Sequence, residues 1–398
     1  MLHEAAVVDC TRTCDVLPDD VWLEIFSYLS PKELSVSVLP VCHRWNNLGH
    51  HSSLWKKIEF GTYVAEKLNM YIDLVKRHHN IQSIECFDCQ KEFIEHVVTL
   101  CPNLIHLSLP HATVTKYTMK ALVKCCPRIM SLDLSANEVI RSRDTFLPIF
   151  SLHQLQTLKL NSCKWVTSSF VSRLVTSCKG LQCLHLECVF LPCETVAYVL
   201  HCLSTSLREL SVKCEKLDWE VKELLHECRQ LQSLKIEVLL GPINIHFSHA
   251  CDHLKNLKEL TLNSCSERML EVPSRVFLGS TFPSVTHLFI RQASGNDALA
   301  DDIISSFPSL ETLTLVDCCT LTDMGVTKIL RCCHKLIDLR IYLCQLISKN
   351  CFTQPLNTGQ GRSHLVRVQH LYPKCPRVDS SYELGSIQSD FHDVHVTR

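Results

Sequence analysis

Apolar residues recur along most of the chain in one short template, apolar-x-x-apolar-x-apolar. It begins at Ile81, Leu104, Ile129, Leu155, Leu181, Leu207, Leu231, Leu257, Val285, Leu310 and Leu336, with successive starts 23 to 28 residues apart. Of its 33 positions, 32 hold Leu, Ile or Val, and the exception is Cys86. The second half of each template alternates apolar and polar residues, which predicts a short half-buried strand. The spacing then turns helical. Met119, Leu122, Val123 and Cys126 fall at i, i+3, i+4 and i+7, as do Val221, Leu224, Leu225 and Cys228, and Val326, Ile329, Leu330 and Cys333. Each set predicts one apolar stripe on a short helix. Thr115, Thr167 and Thr322 stand where such helices start and are expected N-caps.

A strand and a helix every ~20–29 residues is the signature of a leucine-rich repeat. One unit cannot bury its own apolar face, so the units must stack. The predicted fold is therefore α/β: a right-handed leucine-rich-repeat solenoid with a parallel inner sheet and outer helices. Residues two, four and six after each start should face inward. Those at four are Glu85, Ser108, Asp133, Lys159, His185, Ser211, Lys235, Thr261, Phe289, Thr314 and Arg340, acid-tinged at the N-terminal end. Toward the other end, His287, Phe289, Arg291, Arg340 and Tyr342 bring together aromatic and arginine side chains. These types are enriched in binding hot spots, so the five are the candidate substrate-binding residues.

Ahead of the repeats the pattern changes. Val21, Ile25 and Leu29 share one helical face, and Trp22 and Phe26 line the next. Ser30-Pro31-Lys32-Glu33 has the form of a capping box with proline at the first helical position. A third stretch carries Val41, Trp45 and Leu48 on one face, and Leu54-Trp55 follows. Three helices in some 45 residues make a core too small to be comfortable alone. The ordered set Leu17-Pro18, Ile25-Phe26, Leu29, Leu34, Val41-Cys42, Trp45 and Leu54-Trp55 resembles an F-box. With repeats directly behind it, the chain resembles the F-box and leucine-rich-repeat family over about nine tenths of its length. In that family the F-box binds the Skp adaptor of a cullin–RING ubiquitin ligase, and the repeats capture a protein substrate. The resemblance implies that Leu17, Pro18, Ile25, Phe26, Val41, Cys42 and Trp45 meet the adaptor. The same residue types also suit the module's own core. The implied role is a non-catalytic substrate receptor of an SCF-type (Skp–cullin–F-box) ligase. The alternative is a ligase-independent interaction scaffold built on the same repeats.

Composition narrows this further. The net charge of −1 removes the electrostatic case for nucleic acid or an anionic membrane, so neither is an expected partner. Only 10 glycines occur in 398 residues, and no phosphate-binding loop is complete; Gly359-Gln360-Gly361 is the nearest approach. There are 25 cysteines, yet the N-terminus lacks the apolar core of a signal peptide and no apolar run is long enough to span a bilayer. An intracellular protein with reduced thiols, in cytoplasm or nucleus, is expected. Much of the cysteine belongs to the repeat: Cys101, Cys126, Cys178, Cys228 and Cys333 lie three residues before a start. Cys89, Cys163, Cys265, Cys318 and Cys344 lie eight after one, where Asn137 sits in its own unit. That corner needs a small side chain able to bond the turning backbone.

Three features invite chemistry. Cys86-x-x-Cys89 has a metal or redox spacing, but a structural zinc needs four ligands and no second pair follows. His246, His249 and His253 fall within about 60° of arc on a helix, with no evident fourth ligand. Cys42 and His43 adjoin, but on a helix they point about 100° apart and make no dyad. No metal, cofactor or catalytic residue is expected. The organisation read from the sequence is a flexible lead (1–14), an F-box (15–60), about eleven repeats (61–350), and a degenerate cap and tail (351–398). Leu365 and Val368 are placed in the cap, and disorder is expected after about residue 378.

Overall fold

The computed structural model describes residues 17–60, 68–78, 80–137, 143–215, 219–239, 253–264, 277, 280–291, 296–348, 350–353, 365–371 and 392–397. The chain forms two compact units, Met1–Gln154 and Leu155–Arg398. All the template positions are at most 2% exposed. Burying a Leu, Ile or Val side chain is worth roughly 1.5–3 kcal/mol, so this row of side chains is the main stabilising element of both units.

In the first unit, α1 (Asp19–Ser27), α2 (Pro31–Glu33, continuing as a π-helical turn to Val38) and α3 (His43–Gly49) form the N-terminal module. The expected capping box is present: the Glu33 N–H donates to Ser30 Oγ, and the Ser30 N–H donates to Glu33 Oε2. Four parallel strands follow: β1 (Lys57–Phe60), β2 (Ser83–Cys86), β3 (His106–Ser108) and β4 (Ser131–Asp133). Their registers place Ile58 beside Ile84, Ile84 beside Leu107, and Leu107 beside Leu132. The helices α4 (Leu68–Arg77), α5 (Lys91–Leu100) and α6 (Lys116–Cys125) alternate with the strands. After β4 the corresponding place is taken by a 3-10 stretch, Arg143–Ser151, which contains Pro148. Proline has no N–H to give an α-helix.

The strand β1 lies inside the stretch assigned to the F-box. Trp55, Ile58 and Phe60 are buried and occupy a further copy of the template, 26 residues before Ile81. The backbone agrees: Gln82 and Ser83 N–H groups share the Lys56 carbonyl, as Met130 and Ser131 share that of Ile105. The end of the helical module is thus the first repeat.

The second unit continues with parallel strands β5 (Thr157–Lys159), β6 (Cys183–Leu191), β7 (Glu209–Cys214), β8 (Ser233–Val238), β9 (Glu259–Ser264), β10 (His287–Arg291), β11 (Thr312–Val316), β12 (Asp338–Tyr342) and β13 (Leu365–Leu371). Its helices are α7 (Ser168–Ser177), α8 (Cys193–Leu203), α9 (Trp219–Leu225), α10 (Ala298–Ser306), α11 (Asp323–Cys332) and α12 (Asn350–Thr353). Val366 and Val368 are buried, so the region read as a degenerate cap supplies a full strand. The expectation of disorder after residue 378 is corrected in one place: β14 (His392–Thr397) pairs antiparallel with β13 and closes its free edge. Residues 372–391 lie outside the described residues.

Thr115, Thr167 and Thr322 cap α6, α7 and α11 through their hydroxyls. At the corners, Asn137 Nδ2 donates to the Leu109 carbonyl at 2.7 Å. In the cysteine version, the Cys344 thiol donates to the Tyr342 carbonyl while its sulfur accepts from the Cys318 N–H. Immediately before the corner, the backbone is left-handed at Asp88, His111, Ala136, Ser162, Cys188, Asp317 and Leu343, with φ between 53° and 59°. No glycine is used at any of them. The cysteines three before a start are buried, and burial pushes Cys101, Cys126 and Cys228 up to about 12. Cys86 and Cys89 face one another with Cα atoms 6.1 Å apart, a spacing at which a disulfide can form. Both are buried on either side of the left-handed turn at Asp88.

Candidate partner-binding surfaces

The helical module holds its shape through an aromatic cluster. Trp22 and Trp45 rings lie 4.5 Å apart, and Phe26 meets Trp45 edge-on at 5.2 Å. Arg44 ties down the start of α1 by donating to the Leu17 carbonyl at 2.7 Å and to Asp19 Oδ1 at 2.6 Å. The Trp55 indole donates to the Gly49 carbonyl and stacks on His78 at 4.3 Å. A Cβ at Gly49 would lie 2.6 Å from Leu39 Cδ2, so any larger residue there displaces the Leu39 side chain.

The seven residues expected to meet an adaptor divide between this core and the surface. Ile25 is 41% exposed and Val41 45%, and Pro18 is exposed just before α1. Leu17 is half-buried. Cys42 is half-buried and caps α3, its sulfur accepting from the Trp45 N–H at 3.4 Å. Phe26, at 1% exposed, belongs to the aromatic core, and this corrects its expected place at the surface. Trp45 is half-buried in the same cluster. Sequence reasoning did not pick out Val21, Tyr28 and Val36, which are also exposed apolar side chains. Val21 was legible as the i−4 neighbour of Ile25. Val36 was not, because the π-helical turn shifts the faces of that segment.

The second candidate surface is the sheet face of the second unit opposite the helices. Strand register sets Lys159, His185, Ser211, Lys235, Thr261, Phe289, Thr314 and Arg340 in one row. From β6 to β8 the charges close on one another: Lys235 pairs with Glu187 at 2.6 Å, Lys213 with Glu237 at 2.5 Å, and His185 Nε2 meets Glu209 at 3.2 Å. From β10 to β12 the face differs. Phe289 and Leu343 pack against the buried pair Val316 and Tyr342. His287 is exposed, while Phe289, Arg291 and Arg340 are half-buried. Arg340 pairs with Asp338 at 2.6 Å. Tyr342 is buried, and its hydroxyl reaches Gln369 Oε1 at 3.4 Å. The five predicted residues therefore lie on β10 and β12 with β11 between them, about 10 Å apart across the sheet.

Among the described residues no group of three or more His, Cys, Asp or Glu side chains is arranged to hold a metal ion. Of the three histidines singled out, His246 and His249 lie outside the described residues, and the His253 ring lies 5.3 Å from that of His226. Among the described residues no helix is long and apolar enough to cross a membrane.

The described residues thus form a three-helix module that runs into stacked strand–helix units. Residues 14–60 match the F-box-like family model. The chain is 28% identical over 149 residues to the F-box/LRR-repeat protein 12 of mouse and of human, a match covering 37% of this chain and 40% of theirs. It is 28% identical over 116 residues to lysine-specific demethylase 2A of Xenopus tropicalis, covering 29% of this chain and 10% of that protein. These matches thus span two fifths or less of each relative. Similar solved structures include Rad7 in its complex with Elc1 from yeast, with a TM-score of 0.48 and 14% identity over 90% of this chain and 98% of that one. An internalin from Listeria monocytogenes has a TM-score of 0.41 and 14% identity over 69% and 77%. The chain carries an F-box-like domain ahead of leucine-rich repeats, which is the make-up of the F-box and leucine-rich-repeat family.

Proposed function

We propose that the protein is the substrate receptor of an SCF-type ubiquitin ligase. The F-box docks on the Skp adaptor, and through it on a cullin–RING ligase. The sheet face of the repeats holds a protein substrate. The receptor acts by proximity and orientation and performs no chemistry of its own. Its place is the cytoplasm or the nucleus. The observation that carries this reading is the exposed aliphatic side chains of the F-box-like module: Val21, Ile25 and Val41 are each 40–45% exposed while Phe26, next to Ile25, is 1% exposed in the core. Apolar side chains left outside a small, well-formed core are the mark of a partner site.

The test is a binding titration of the full chain against purified Skp adaptor, beside the Val21→Ser/Ile25→Ser variant. Covering both side chains is worth roughly 2 kcal/mol, so the variant should bind at least about tenfold more weakly. Its circular dichroism should be unchanged. Absence of wild-type binding would overturn the ligase reading and leave the interaction scaffold as the account of this fold.

A further inference from the structure

In the first unit, the end of α3 and the end of α4 border a cavity of about 200 Å³, lined by His50, Ser52, Trp55, Arg77, His78 and Asn80. Its aromatic wall is fixed by stacking: the His78 ring lies parallel to the Trp55 indole at 4.3 Å and meets the His50 ring at 5.5 Å. None of the six lining side chains is a carboxylate. The Arg77 guanidinium, the His50 ring and the Ser52 hydroxyl have no hydrogen-bond or ion-pair partner among the described residues. Asn80 Oδ1 accepts from Asn103 at 3.4 Å, which leaves the Asn80 amide N–H groups unused. The one acid on α4, Asp73, pairs with Lys76. The helix ends do not cancel the charge of Arg77. The Leu48 and Gly49 carbonyls at the end of α3 already accept from the His51 N–H and the Trp55 indole. The end of α4 carries about half a negative charge, against the full charge of the guanidinium. Burial and Arg77 push the His50 imidazole below its ordinary value, the direction expected where a cation is close and no anion balances it.

We propose that this cavity binds a phosphate group, with Arg77 as its charged anchor and His50, Ser52 and Asn80 as further donors. The volume sets the size of the ligand. It falls short of the ~300–1,000 Å³ of pockets for drug-sized molecules, so it suits a phosphate ion or the head of a small monoester. Donors from two separate segments match the several oxygens of a tetrahedral anion better than the two of a carboxylate, and a guanidinium takes two of those oxygens at once. An anion beside His50 favours its protonated form, so the ring adds its own charge once the ligand is present. The inference stands on the cavity alone and does not rest on the ligase role.

The experiment is isothermal titration calorimetry of the full chain in a phosphate-free buffer at fixed ionic strength, with inorganic phosphate, glycerol 3-phosphate and acetate as probes. Phosphate should bind one site saturably, at least about tenfold more tightly than acetate. The monoester distinguishes the sources: binding as tight as phosphate or tighter assigns the site to a small monoester, and weaker binding assigns it to the free ion. Arg77→Gln should weaken phosphate about tenfold, since a hydrogen bond to a charged group is lost. His50→Gln should weaken it severalfold. Lys76→Gln, which removes an adjacent exposed cation of α4, should leave it unchanged and so excludes a general charge effect. Amide hydrogen exchange should slow with phosphate at His50 and His78, whose N–H groups close α3 and α4 by donating to the Asn46 and Leu74 carbonyls. No saturable phosphate binding, acetate binding as tight, an equal loss in Lys76→Gln, no loss in Arg77→Gln, or protection only elsewhere in the chain would overturn the inference.

Discussion

In the repeats, an apolar residue on the template is a buried residue, without exception from Ile81 to Ile341. In the helical module the same kind of pattern divides. Val21 and Ile25 recur at helical spacing as faithfully as any repeat leucine, yet both stand at the surface, while Phe26 is sealed inside. The difference follows from where each region finds its neighbour. A repeat is covered by the next repeat, which the same chain supplies, so its pattern reports its own core. A module of three short helices has more apolar surface than it can fold inward. Part of that surface stays exposed, as at Val21 and Ile25, and the periodicity does not say which part.

The largest effect that bears on this contrast comes from Trp55, which belongs to both regions. Its indole binds the Gly49 carbonyl at the end of α3 and stacks on His78 just after α4, and it opens the template whose strand is β1. Trp55→Ala should destabilise the first unit by about 3–5 kcal/mol in urea unfolding. Amide hydrogen exchange should show α3 and the β1–β2 pairing losing protection together. If the repeats kept their protection while the module alone melted, the two would be separate folds.

This shared residue also shows what was legible. The eleven units were plain because Leu, Ile and Val recur, and the helix caps followed from threonine placement. The first repeat was hidden because Trp55 and Phe60 stand at two of its three template positions. The last strand pair was hidden because Pro355, Gly359 and Gly361 signal a break before it. At the candidate sites, residue types could be read but not exposure. Phe26 and Ile25 adjoin in sequence and differ in burial because a helix turns 100° between them.

The cysteines give the next contrast, because deep thiols belong to the repeats. Cys126 and Cys228 are held up to about 12 by burial, well above the ~8.5 of an unfolded thiol. Above pH 8.5 the unfolded chain releases those protons and the native chain keeps them. Stability is therefore fully present below pH 8.5 and is lost as pH rises toward 12, by up to about 1.4 kcal/mol per pH unit for each thiol. Unfolding curves of the wild type and Cys126→Ala/Cys228→Ala between pH 8 and 10.5 should converge as pH rises. Curves that stay parallel would mean that these thiols are not closed off from water.

The smallest effect has opposite signs in the two regions. At Ser162 the chain is left-handed, φ 58°, and the residue's N–H still donates to the Glu187 carbonyl at 2.7 Å. An L-residue there costs about 1–2 kcal/mol. Glycine escapes that cost and loses about 0.5–1 kcal/mol through its freer unfolded chain. Ser162→Gly should therefore stabilise the second unit by up to about 1 kcal/mol, raising Tm by some 2–4 °C. Ser27, in α1 of the helical module, has helical backbone and a hydroxyl bonded to the Glu24 carbonyl. Ser27→Gly gains nothing there and should destabilise by about 0.5 kcal/mol. Calorimetry of the two variants would show whether the corner strain is real. If Ser162→Gly also lowered Tm, the repeat corners would be relaxed despite their left-handed φ, and some packing contact of Ser162 would have to account for the loss.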